Sequence, residues 1–591
     1  MKLRLLACAL SLHAATSGAA PPADLVFING AVYTVDAARS WATALAVTGD
    51  RISYVGTDAG ARELVGPRTR LIDLDHRMLL PGFQDSHVHP ADAPNPANTL
   101  DLQGLIQREQ VLERIRQFAR AHPERAWILG QGWDESAFLP SGQPSREMLD
   151  AVVPDRPAFL VDNSGHEGWA NSRALAAAHI TAATPDPLNG RIERNAQGEP
   201  TGALQEEAQE LVRSVVPPPT PEERVVNLSA ALEQMARLGI TALEDAAADA
   251  DIQRAYQTLD RAGKLRQRVC LCQLYRPRKD DDAQIREFEA QRTALAGRRL
   301  KAGCVKIFLD GAYGSHTVVL LQPYSDEPGR FGSGKLFVEA ERLNRLVTRL
   351  DAAGFQVHMH AIGDGAVHAG LDAFAAARRE NGFRDNRGTL AHLGLIADAD
   401  IARFRTLGVV ANMTPLWSLD DPWETIFAPR LFGSERFGEL YRTRTLLEAG
   451  VVLVWGSDWP VTGVSPLEGL ETAITHRYPG GRDLKGQQDH AWKPEERVSL
   501  EQAIVAYTSA GAYLLHDERS RGSLEAGKAA DLAVLGRNMF ETPPLAIHSV
   551  AVDMTIVAGE VIFERGARGS ASGRTTPTLH TARAEASVFS P

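Results

Sequence analysis

The sequence predicts an α/β fold: a (β/α)8 TIM barrel, a discontinuous β-sandwich formed by the N- and C-terminal segments, and an insertion after the first barrel strand. Three observations predict it. Strand-like and helical runs alternate from about residue 81 to 516, which implies a parallel sheet. Short β-rich runs with hairpin turn signals occupy both ends of the chain, and neither set is large enough to bury both faces of a sheet alone. The alternating region exceeds a plain barrel of ~250 residues, so it has to carry an inserted piece.

Taken in order, residues 1–20 differ from the rest. Lys2 and Arg4 precede the apolar run Leu5 to Leu12, and small residues lead through Ala20 to Pro21-Pro22. That is the layout of a secretory signal peptide, so a periplasmic or secreted protein is expected. Lipid anchoring at Cys8 is the less favoured reading, because the run before it is short. No later stretch is apolar and long enough for an integral membrane span.

Residues 21–80 form the first part of the sandwich: Leu25 to Ile28 before Asn29-Gly30, Ala31 to Val35, Ala44 to Val47 before Thr48-Gly49-Asp50, and Arg51 to Gly56. Its second part, residues 517–566, holds Ala530 to Leu535, Val550 to Val557 and Ala558 to Phe563. Between them, residues 81–516 give the barrel. Its runs include Gly303 to Leu309, the helical Ala340 to Ala353, Phe355 to His360, the helical Gly365 to Arg379, Thr389 to Leu393, and Val451 to Gly456. The insertion falls at about 91–222, ending in the Pro217-Pro218-Pro219 loop. The tail 567–591, rich in Ser, Thr, Ala and Gly, is expected to be disordered.

Composition excludes some partners. The 591 residues carry a formal charge of −11, with 44% hydrophobic and 23% charged residues, so there is no basic footprint for nucleic acid. The cysteines are Cys8, Cys270, Cys272 and Cys304, too few for a disulfide-stapled scaffold. Cys270 and Cys272 share a strand-like run, and buried free thiols are expected there.

The chemistry starts at Pro81-Gly82-Phe83-Gln84-Asp85-Ser86-His87-Val88-His89-Pro90. Alternation points His87 and His89 to one side of a strand, where two imidazoles can hold a zinc-like cation. His-x-His alone is weak evidence. Lys306, His360, His392 and Asp458 join it, each at the end of a strand-like run, where a barrel places its active groups.

With these motifs the sequence resembles the amidohydrolase superfamily, in particular its YtcJ-like branch (amidohydrolase family 3), which includes N-substituted formamide deformylases and exoenzyme-regulatory-type proteins. The resemblance spans almost the whole mature chain. It rests on LLPGFQDSHVHP at 79–90, VKIFLDGAYGSHT at 305–317, HMHAIGDGAV at 358–367, LAHLGLI at 390–396, GSDWPV at 456–461 and GSLEAGKAADLAVL at 522–535.

The resemblance implies a metal-dependent hydrolase with one or two divalent cations, zinc foremost. His87, His89 and Asp458 would hold one cation and His360 and His392 the other, with a carboxylated Lys306 between them. A free lysine ammonium has only donors and cannot ligate, which is why the carboxylated form is required. A buried lysine paired with Asp310 is the competing reading of Lys306. Between His358 and His360 the motif selects His360, leaving His358 as a supporting histidine.

Asp458 is the implied catalytic base, taking a proton as a metal-activated hydroxide attacks, and passing it to the leaving nitrogen. Candidate substrate contacts are His166 and Trp169 in GHEGWANS, and His316, which stands where many relatives carry Arg. Gly394 stands where Gln is common. Trp133, Trp417, Trp423 and Trp459 fall near the expected barrel-top loops and suggest an aromatic pocket.

The expected activity is hydrolysis of a non-peptide C–N bond in a small amide, N-acyl or formamide substrate. The alternatives are deamination or cyclic-amide opening at the same site, or a regulatory protein of this fold without turnover. Homodimers are common among such hydrolases, and no motif here decides the matter.

Overall fold

The computed structural model describes residues 21–566 except 96–98, 140, 421–424, 426 and 485. The expected leader, the tail and Trp423 lie outside these residues.

Among the described residues, eight strands form the barrel sheet in chain order: Phe83–Val88, Ile240–Ala248, Arg268–Leu274, Leu300–Phe308, Gln356–Ala361, Thr389–His392, Val410–Met413 and Leu453–Trp455. All the paired neighbours run parallel. Phe83–Val88 is buried along its whole length, as expected for a parallel strand covered on both faces. The covering helices carry matching stripes. Ala340–Ala352 buries Leu343, Leu346, Val347 and Leu350, the i, i+3, i+4, i+7 spacing of one helix face. Pro221–Arg237 begins with a capping box between Thr220 and Glu223 and leads into the second strand.

The first and last strands meet through the loop after Leu453–Trp455. Asp458 N donates to His87 O and His89 N donates to Trp459 O, both at 2.8 Å. Below them the Asp85 carboxylate accepts from Ser457 N at 3.0 Å and Ser457 Oγ at 2.6 Å.

The sandwich combines both ends of the chain. One sheet runs Arg51–Gly56, Ala44–Thr48, Leu25–Ile28, Arg70–Asp73; the other runs Glu560–Glu564, Val552–Val557, Leu532–Leu535, Met78–Pro81, Ala31–Tyr33, Trp41–Ala42. The N-terminal Met78–Pro81 pairs antiparallel with the C-terminal Leu532–Leu535. Phe27, Leu45, Leu79, Leu532, Val534 and Ile556 share one core, so neither end closes its apolar surface without the other. Only Gly82 separates Met78–Pro81 from the first barrel strand. A Cβ there would stand 2.1 Å from Thr241 Cγ2, so the chain can cross from sandwich to barrel only at a glycine. The bidentate pair of Arg268 and Asp531, at 2.7 and 3.1 Å, ties the third barrel strand to the sandwich.

The insertion builds its own six-stranded sheet, from Leu100–Asp101 to Pro200–Glu206. Trp133 and Trp169 are fully buried in its core beside Phe138. Trp169, expected beside the substrate, is therefore an internal packing residue; its indole N–H donates to Ser145 O at 2.8 Å.

The cysteines also depart from expectation. Cys272 and Cys304 form a disulfide, while Cys270 is the buried free thiol among the described residues. Cys272 and Cys304 lie opposite each other on neighbouring parallel strands, a juxtaposition that spacing along the chain does not reveal.

Gly456 tests how tightly the closure is built. A Cβ at this position would lie 2.4 Å from His87 Cβ and 2.8 Å from His87 N. Gly456→Ala is expected to destabilise the fold by about 1–3 kcal/mol through overpacking, measured by urea unfolding, and to displace His87.

Candidate metal centre

The strands deliver their polar residues to one end of the barrel. His89 Nε2 lies 3.2 Å and His87 Nε2 3.4 Å from Asp458 Oδ1. A tetrahedral cation with bonds of ~2.0–2.1 Å sets its ligands about 3.3 Å apart, so these spacings suit one cation between the three groups. His392 Nδ1 stands 3.7 Å from Asp458 Oδ2. The His360 and His392 rings are 4.4 Å apart, and His87 and His392 are 4.7 Å apart. Lys306 Nζ is 3.2 Å from His87 Nε2. The six residues thus converge. Among the described residues, Lys306 has no bond to Asp310, whose carboxylate is engaged elsewhere.

The backbone is bent to aim these groups. His392 and Asp458 have φ of 76° and 54°, a left-handed conformation uncommon outside glycine and concentrated at functional sites. His392 ends the strand Thr389–His392, and Asp458 lies in the loop three residues after Leu453–Trp455.

Supporting groups fix the imidazole orientations. His360 Nδ1 pairs with Asp310 Oδ1 at 3.0 Å, which turns Nε2 toward the cluster. Asp310 is held in turn by the N–H groups of Ile362 (3.1 Å), Gly363 (2.9 Å) and Val319 (3.2 Å). Burial nevertheless pushes its pKa up to about 7. His87 Nδ1 pairs with His358 Nε2 at 2.9 Å, and His358 Nδ1 with Glu244 Oε1 at 2.7 Å. A chain of three buried side chains therefore stands behind His87, and His358 is a supporting residue.

The electrostatics favour ligation. Burial first, and the Lys306 charge and neighbouring imidazoles next, hold His87, His358, His360 and His392 well below the usual histidine range, so they are neutral with lone pairs available. Burial lowers Lys306 to about 7 against the pull of Asp458 and Glu244. Both ring nitrogens of His392 are buried and lack a hydrogen-bond partner. An imidazole buried this way is costly unless something binds it, and a cation would satisfy it. The residues fit a metal.

Of the expected substrate contacts, His166 approaches the cluster, its ring 5.2 Å from that of His360. Its Nδ1 pairs with Glu206 at 2.9 Å. Burial opposes its charge, but the Glu206 carboxylate outweighs it and holds His166 protonated to about 9. His316 is engaged elsewhere: Nε2 is 2.9 Å from Asp326, and the ring stacks on Phe331 at 4.1 Å. Trp417 stacks on His392 at 5.0 Å, and Trp459 is buried. Sequence reasoning missed Glu206 and Glu244. Glu244 follows the strand-like run Ile240 to Leu243, as the candidate ligands on other strands follow theirs, and that is the signal in the sequence.

A family model described as an amidohydrolase family matches residues 70–563. The chain is 30% identical over 547 residues to putative amidohydrolase YtcJ of Bacillus subtilis (strain 168), covering 91% of this chain and 99% of that protein. It is 31% identical over 558 residues to N-substituted formamide deformylase of Arthrobacter pascens, covering 92% and 98%. Among solved structures, an uncharacterized metal-dependent hydrolase from Pyrococcus horikoshii OT3 is similar with a TM-score of 0.69 at 25% identity, covering 88% of this chain and 99% of that one.

The His166–Glu206 pair makes a pH prediction. Its pKa is raised by folding, so the stabilisation is complete below the unfolded value of ~6.5 and is lost as pH rises toward about 9. Glu206→Gln is therefore expected to cost on the order of 1–3 kcal/mol at pH 6 and less at pH 9.5, measured by denaturant unfolding at the two pH values.

Proposed function

The chain belongs to the amidohydrolase family, and from that premise we propose an exported hydrolase that cleaves a non-peptide carbon–nitrogen bond in a small amide, N-acyl or formamide substrate. The observation that carries the reading is the convergence of His87, His89 and Asp458 at ligand spacing beside the unpartnered His392.

His87, His89 and Asp458 would hold one divalent cation, zinc by the nitrogen-rich donor set, and His360 and His392 a second, with carboxylated Lys306 between them. Bound there, the metal supplies Lewis-acid polarisation of the scissile carbonyl and acidifies water. The chain's own groups do the rest. A lysine with a pKa near 7 is substantially neutral at neutral pH, and only the neutral amine adds carbon dioxide to give a carbamate. Asp458 Oδ2, 3.7 Å from His392 Nδ1, can accept the proton of the attacking water and return it to the leaving nitrogen. Protonated His166 faces the cluster from the insertion and can donate to the substrate carbonyl or to an acidic substituent. Trp417, stacked on His392, offers an apolar wall to the acyl or nitrogen substituent. Export is proposed from the leader-like first twenty residues.

Asp458→Asn is expected to lower kcat by ~10²–10⁴ in assays against formamides and N-acyl amines, the range for losing a general acid–base. Turnover of such substrates by the unaltered protein at no more than the background rate, across metal-replete preparations, would remove the proposed activity. A separate test concerns Lys306. Elemental analysis should give about two zinc equivalents, falling in Lys306→Ala and in carbonate-depleted protein and recovering with bicarbonate only in the unaltered chain. A metal content indifferent to bicarbonate and to Lys306 would establish an uncarboxylated lysine instead.

A further inference from the structure

Beneath the cluster the barrel interior holds a second polar layer. Cys304 lies two residues before Lys306, and His358 two before His360, so alternation places them one layer deeper on the same strands. Glu244 and Cys272 come from the two preceding strands. One ligand atom from each of Glu244, Cys272, Cys304 and His358 lies within 4.8 Å of the others, and all four residues are buried, with Glu244, Cys272, Cys304 and His358 each 0% exposed. Barrel layers are usually filled by branched aliphatic side chains. Here a carboxyl, an imidazole and two sulfurs occupy the position, and Glu244 Oε2 has no hydrogen-bond partner. The two sulfurs are joined in a disulfide, 1.99 Å apart, which bars them from binding one cation together.

We propose that Glu244, Cys272, Cys304 and His358 form a second, redox-gated cation site, taking a thiophilic divalent ion of the zinc class once the disulfide is reduced. Two sulfurs, one nitrogen and one carboxylate oxygen from four neighbouring strands are a donor set such ions favour. Reduction by two equivalents of a small-molecule thiol yields the two cysteine thiols and the thiol's own disulfide. Binding then releases the two thiol protons and moves the proton between Glu244 Oε1 and His358 Nδ1 to His358 Nε2, leaving the carboxylate and Nδ1 as donors to the cation.

That last step couples the layers. With His87 Nε2 on the upper cation, which rests on the reading above, His87 Nδ1 carries a proton. His358 Nε2–H would then face another N–H across 2.9 Å, and the bond between them is lost. Filling the lower site opposes filling the upper one, and the disulfide secures the supporting arrangement behind His87.

The test uses cobalt(II), because a thiolate–cobalt bond gives a strong near-ultraviolet charge-transfer band and the upper cluster contains no sulfur. The full chain is produced in a reducing cytoplasm, purified anaerobically with a phosphine, and its free Cys272 and Cys304 verified by alkylation and mass spectrometry. The expected result is the band together with one cobalt equivalent bound through sulfur, both lost on oxidation to the disulfide. The doubly substituted Cys272→Ser, Cys304→Ser chain should lack the band while still binding cobalt at the upper cluster. Free thiols without a band overturn the site, as does a band that survives in the double variant, or a protein whose two cysteines cannot be obtained reduced. The comparison of reduced with oxidised unaltered chain stands even where the double variant fails to fold. Failure of the amide assays alone leaves this readout unaffected.

Discussion

The closure of the barrel between His87 and Asp458 is the constraint on which the site depends. Asp458 N bonds to His87 O, and His89 N bonds to Trp459 O, so backbone geometry fixes the two histidines against the aspartate before any side chain is placed. The same junction tolerates no added atom at Gly456, and the buried Asp85–Ser457 bonds hold it from below. Because only Gly82 lies between the sandwich strand Met78–Pro81 and the first barrel strand, the sandwich also bears on this junction. Met78–Pro81 is pinned by its C-terminal partner strand, which sets where Phe83–Val88 enters the barrel.

The centre concentrates polar groups in an interior that otherwise excludes them. Burial holds His87, His358, His360 and His392 neutral, both ring nitrogens of His392 lack a hydrogen-bond partner, and an unsatisfied buried polar group costs about 1–3 kcal/mol. Metal binding offsets this cost. The outward sides are satisfied within the protein, His360 by Asp310 and His87 by His358 and Glu244, so the inward nitrogens stay directed at one another. The insertion adds His166 and Glu206, bringing a positive group to a cluster in which burial keeps His87, His360 and His392 uncharged, whereas at His89 the neighbouring Asp458 carboxylate outweighs burial and raises the pKa.

Much of this arrangement was legible in the chain. Alternating β and α runs announced the parallel sheet, and the strand-end positions of His87, His89, Lys306, His360, His392 and Asp458 placed them together, because every parallel barrel strand ends on the same face. For Trp169 the sequence is ambiguous, because an indole near a histidine motif reads alike whether it faces a pocket or a core. The insertion's packing, with Trp133 and Phe138 against it, decided the matter. The disulfide is not legible in the chain because Cys272 and Cys304 are 32 residues apart, and only strand register sets them opposite each other.

The sequence by itself therefore determined the element order, the β-sandwich shared between the two ends and the identities of the residues that gather at the barrel mouth. The element order and the sandwich follow from side-chain periodicity and turn chemistry, which are local, and the residue identities from motifs that resemble those of a known family. The tertiary structure decided how the groups behind the candidate ligands are paired. Glu244, His358, Asp310 and Glu206 come from separate strands and loops, and their partnerships depend on register, on depth within the barrel and on how the insertion folds over it. Those are properties of distances across the fold, and no spacing along the chain encodes them.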